Sequence, residues 1–172
     1  VLKFSEPVIV PGETLQPGTY VFKLADATSS RHLVQVLSED GQKLITTAQA
    51  VPTKRADAKG DVVLRFNPTD RGTPPALKAW FYPGSIYGHE FIYPEQQARE
   101  IARRSKTLVL STDIPGSEMQ KGTLRTIDPA GVRAEWKADE ARTREWDSWQ
   151  RTRSSRTTAS TEGSRSSVSM GP

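Results

Sequence analysis

The feature that most constrains this chain is punctuation. Through residue 94, proline, glycine or Asp-Gly interrupts every apolar run before it reaches the length of a helix. The runs are "PVIV" (7–10), "TYVFKLA" (19–25), the two arms of "RHLVQVLSEDGQKLITTAQAV", "DVVLRFNP" (61–68), "ALKAWFYP" (76–83) and "YGHEFIYP" (87–94). Runs of this length, rich in β-branched and aromatic residues and bounded by turn formers, predict strands. Six or seven of them with no helical period between predict an all-β fold, mainly an antiparallel β-sandwich or small barrel.

Within the runs, period-two alternation assigns faces. Tyr20, Phe22 and Leu24 share one face of their strand. In "ALKAWFYP", Phe81 is expected to point with Leu77 and Ala79, and Trp80 and Tyr82 with Lys78. Asp40-Gly41 is expected to make a tight two-residue hairpin turn. A helix is expected over 94–105: Pro94 suits the first helical position, Glu95 the positive end of the helix dipole, and Arg103 and Arg104 the other. Its apolar stripe of Ala98, Ile101 and Ala102 is narrow, so the helix should lie on the surface of the β-domain. "TLVLST" (107–112) returns to strand and closes a domain over residues 1–112.

Beyond that point the character changes into a C-terminal helical and extended extension. Residues 113–128 read as a linker, 129–153 as a charged helix, and 154–172 as an extended tail of Ser, Thr and Arg. Val132, Trp136 and Trp146 fall within about 80° on a helical wheel, with Trp149 at the margin. A thin tryptophan stripe calls for a partner surface. The tail composition does not fold alone, and such segments are ordered by adding to a sheet edge or lying in a groove of another chain.

Charge bears on partners. The formal net charge is +4, and its one concentration is at the end, where Arg151, Arg153, Arg156 and Arg165 face only Glu162. Arginine and tryptophan interleave near residues 142–153, a pattern that stacks bases and pairs phosphates. Glu145 and Asp147 flank Trp146 and weigh against nucleic acid there. The chain has no cysteine, which excludes disulfides and thiolate chemistry. No run approaches the roughly 18–20 apolar residues of a membrane-spanning helix. The start at Val1 fits a chain from which a signal peptide has been removed.

Chemistry-bearing motifs are sparse. His89 and Glu90 are adjacent, but neighbours on a strand face opposite ways, so a catalytic pairing is not expected and His89 is read as outward or capping a turn. With His32 and His89 the only imidazoles and no H-x-x-x-H spacing, no metal site is expected. No Gly-rich loop feeds a helix, so no nucleotide cofactor is expected. The aromatic segment offers a surface for a glycan on Trp80, Tyr82 and Tyr87, while Trp136, Trp146, Trp149, Arg151 and Arg153 are candidate partner contacts.

The stretches "FSEPVIVPGETLQPGTYVFKL", "RHLVQVLSEDGQKLITTAQAVP" and "PPALKAWFYPGSIYGHEFIYPEQQAREIA" resemble a family of uncharacterised exported β-domain proteins of soil bacteria, over about residues 4–112. The resemblance implies a secreted β-domain and brings no catalytic residues with it. The expectation is a non-enzymatic extracellular or cell-envelope structural protein that self-associates, as a closed oligomer or a filament or sheath subunit. The alternatives are a secreted or periplasmic module with an aromatic glycan surface and, behind it, a basic tail that contacts nucleic acid.

Overall fold

In the computed structural model, residues 1–26, 32–113, 123–137, 148–149 and 151–152 are described. The chain divides into two units, Val1–Ala138 and Asp139–Pro172.

The first unit is β-rich and mainly antiparallel, as the punctuation predicts. Its strands are β1 (Leu2–Phe4), β2 (Val8–Val10), β3 (Glu13–Leu15), β4 (Gly18–Asp26), β5 (His32–Leu37), β6 (Leu44–Lys54), β7 (Val63–Asn67), β8 (Ala76–Phe81), β9 (Tyr87–Pro94), β10 (Val109–Thr112), β11 (Leu124–Ile127) and β12 (Arg133–Glu135). All belong to one sheet ordered β1-β4-β5-β6-β9-β10-β11-β12, with β8 also on β9, and β7 and β2 on β8. Two pairs, β2/β8 and β9/β10, are parallel.

Strand β9 is where the sheet divides. It pairs with β6 over Tyr87–Ile92. Its other edge pairs with β8 at Gly88–Glu90 and then with β10 at Tyr93–Pro94. Tyr93 marks the fork: its buried hydroxyl lies 2.7 Å from the Leu77 carbonyl of β8 and 3.1 Å from the Ile9 carbonyl of β2. Burial pushes its phenol far above the ordinary tyrosine range.

The main core takes the inward face of β1, β2, β4, β5, β6, β8 and β9 together with Ala98, Ile101 and Ala102 of α1 (Glu95–Ser105). Tyr20, Phe22 and Leu24 all face this core, as alternation requires. The helix starts after Pro94 and ends at Lys106 in the left-handed conformation, whose N–H reaches the Ala102 carbonyl. Gln97 ties it down by accepting from the Gly12 N–H and donating to the Val10 carbonyl.

Three expectations are corrected. The β5–β6 connection is a longer loop, closed by Ser38 N–H to the Lys43 carbonyl at 2.9 Å; only Gly41 takes a positive φ there, while Asp40 accepts from Ser38 and Gln42. The sheet continues past Thr112, because residues expected as linker and helix hold β11 and β12. There Leu124 joins Val51, Ile92 and Leu110 in a second apolar cluster on the opposite face of the sheet, with Trp136 packed against it. Arg133 of β12 pairs with Glu95, and Arg99 donates to the Gly131 carbonyl, so this segment is also stitched to α1.

The third concerns β8. Arg65 and Phe66 of β7 oppose Ala79 and Leu77, leaving Lys78 as an extra residue. Such a bulge resets the alternation, so Leu77 and Trp80 face the same core and Phe81 the other side. Both faces of this strand are covered, and Trp80 and Phe81 are alike buried.

In the second unit, Ser148, Trp149, Arg151 and Thr152 are helical, with the Thr152 hydroxyl donating to the Ser148 carbonyl. Trp146, Arg153 and the 154–172 tail lie outside the described residues.

Candidate functional site

The two histidines of the chain, 57 positions apart, meet inside the fold. Strand β6 lies between their strands: His32 opposes Ala50, and His89 opposes Pro52 on the other side. The short Ala50 side chain lets both rings reach over β6. Their Nδ1 atoms stand 3.0 Å apart, with rings at 73°. Tyr82, just past the end of β8, extends the line: its hydroxyl is 2.9 Å from His89 Nε2. Trp80 closes one side, its ring centroid 5.4 Å from that of His89 and 5.0 Å from that of Tyr82.

Both imidazoles are fully buried, which corrects the expectation of an outward His89. Burial first, and the repulsion that two charged rings at this distance would feel second, hold His89 well below the ordinary histidine range. A neutral imidazole carries one N–H, so the Nδ1 contact holds a single proton. When His32 supplies it, His89 donates from Nε2 to Tyr82; when His89 supplies it, Tyr82 donates to Nε2. The arrangement can therefore pass a proton position between a half-buried phenol and a buried ring.

The turn that delivers Tyr82 is braced by a residue that the sequence reading did not single out. Arg55 is buried; its Nε donates to the Ser85 carbonyl at 2.7 Å and its Nη2 to the Tyr82 carbonyl. The Arg55 and Arg65 guanidinium groups both lie over the Phe81 ring, at 5.6 and 5.1 Å from its centroid. An arginine following a β-branched run and preceding a loop carries no signal of this role in sequence.

The candidate residues are placed as follows. Trp80 is buried in the main core, its edge against Phe22, so the expected Trp80 glycan surface is not presented. Its indole N–H meets no acceptor among the described residues. Tyr82 and Tyr87 are half-buried, Tyr87 with the Lys54 ammonium over its ring. Trp136, just past β12, packs against the second cluster. Trp149 is half-buried and Arg151 exposed in the second unit. Glu90 faces away from His89, as alternation predicted. Among the described residues no three His, Cys, Asp or Glu side chains gather as a metal site, and no helix is long and apolar enough to cross a membrane.

A surface depression lies elsewhere, between the β2–β3 turn and α1, lined by Gly12, Glu13, Gln97, Glu100 and Ile101. Glu100 is engaged there by Arg103 and Arg104.

These features define the first unit as an all-β fold with one surface helix, built around a forked sheet and a buried imidazole pair. Comparison with protein-family models, curated proteins and solved structures finds no match to this chain.

Proposed function

We propose that this chain is a non-enzymatic structural protein of the extracellular space or cell envelope that self-associates, one copy adding to the exposed sheet edge of another. The observation that carries the reading is β7. Among the described residues it is hydrogen-bonded to β8 alone, and it is the longest of the strands with a single neighbour there. Phe66 within it and Val62 just before it remain 37% and 38% exposed. A strand edge of this kind presents a row of backbone donors and acceptors to another chain, and apolar side chains on it favour pairing. The bulge at Lys78 and the charge of Arg65 limit how far such pairing runs, which favours a defined contact over open aggregation. The tail at 154–172 is the second element of the reading, as an arm onto a neighbouring subunit.

Light scattering on the full chain over a range of concentrations tests this. The expected result is a mass above the monomer that falls toward it in Phe66→Lys, and falls separately when the chain ends at Ala138. A monomer at high concentration overturns the proposal.

A further inference from the structure

We propose that the His32–His89 contact is an acid-sensitive latch, which ties the start of β5 to β9 over β6 while the pair is neutral and releases that end of the sheet when the pair takes up protons. The proposal is independent of self-association.

The geometry carries it. The two Nδ1 atoms are 3.0 Å apart and hold one proton between them. Adding a first proton to the pair creates an imidazolium in a fully buried site, where a charged ring is strongly disfavoured. A second places N–H against N–H across the same contact and ends it. Among the described residues the surroundings are largely apolar. Strand β6 presents Ala50 and Pro52, β8 presents Trp80, and β4 presents Phe22 and Leu24 to the same core. The titratable group that meets the pair from the end of β8 is Tyr82, through His89 Nε2. Arg55 meets Tyr82 at its backbone carbonyl, and Glu90 lies on the opposite face of β9.

The imidazole contact is a side-chain tie across β6, between the two strands that flank it. Tyr82, half-buried, is the least buried member of the cluster.

The sign follows from linkage. His89 is held below its ordinary value when folded, so the open state binds protons more tightly. The latch is intact above about pH 6.5, the ordinary histidine value, and loosens below it. The open population rises about tenfold per pH unit for each histidine that is neutral when closed and charged when open.

The test uses the full chain. Long-range nitrogen–proton NMR of the histidine rings reads tautomer and charge directly, and amide hydrogen exchange reads opening. Both rings are expected to stay neutral at pH 6, with one shared Nδ1 proton. Between pH 7 and pH 5, exchange should accelerate at His32–Val34 and Tyr87–Glu90 before it does at β10–β11. In His89→Gln the pH dependence of that local opening should fall by about tenfold per unit. Rings that titrate near 6.5 with the fold intact overturn the proposal, as does an acid-induced opening that His89→Gln leaves unchanged. The ring spectra of the wild-type chain decide the matter if the variant does not fold.

Discussion

Gly88 is the position where a single added methyl group should do most damage. It sits in β9 opposite Phe81 of β8 and Thr53 of β6. A Cβ built there stands 2.6 and 2.9 Å from Phe81 Cδ1 and Cγ, and nearer still to the Trp80 carbonyl oxygen. Comfortable carbon contacts begin at about 3.5 Å, so Gly88→Ala demands a displacement of roughly 0.6–1 Å. Neither neighbour yields freely. The Trp80 carbonyl belongs to a strand paired on both sides, and the Phe81 ring has two guanidinium groups over it. Overpacking costs about 1–3 kcal/mol and a strained ladder bond about 1 kcal/mol more. Replacing glycine in a strand returns about 0.5–1 kcal/mol. The expected net loss is about 1–3.5 kcal/mol, read as a Tm lower by roughly 2–14 °C in a chain of this size. Urea titration followed by tryptophan fluorescence measures it. Gly84→Ala is the control, because its Cβ meets nothing within 4 Å and only its φ of +63° opposes the change; about 1 kcal/mol is expected. A Gly88→Ala protein within 0.5 kcal/mol of wild type would refute the reasoning.

Tyr93→Phe removes the one hydroxyl shared by the Leu77 and Ile9 carbonyls and should cost about 1–3 kcal/mol by urea titration. Because burial raises the Tyr93 phenol, the unfolded chain ionises first. Stability is intact below about pH 10, falls above it, and this alkaline component should be absent in the variant. A chain ended after Thr112 loses β11 and β12 and uncovers Val51, Ile92 and Leu110, so it should bind a hydrophobic dye and melt well below a chain ended at Ala138. Equal melting of the two would restore the shorter domain boundary.

Much of the fold was legible because local chemistry marks it. Pro94, Glu95, Arg103 and Arg104 bracket a helix observed at Glu95–Ser105, and alternation in "TYVFKLA" correctly assigns its core face. The failures share a cause, which is that they depend on non-local pairing. The faces of β8 depend on a bulge at Lys78, and a bulge is a property of two strands. Strands β11 and β12 are only four and three residues long, and their charged surroundings resemble a linker until β10 offers them an edge. The imidazole pair was invisible for the same reason, since nothing near either histidine points to the other. Arg55 reads as a surface charge until Ser85 and Tyr82 turn their carbonyls toward it.

The fork in β9 also sets how the molecule comes apart. The branch carrying β8, β7, β2 and β3 and the branch carrying β10, β11 and β12 both join β9, and β9 joins β6. Each branch can fray from its outer strand inward, in the manner of cooperative units, with α1 the tie between them through Gln97 on one side and Glu95 and Arg99 on the other. Strand β9 holds both branches, so at neutral pH, where the imidazole latch is closed, its amides should be among the last to exchange. The strand that carries His89 and Gly88 is in this sense the seam of the protein, and an alteration there is felt in two directions at once.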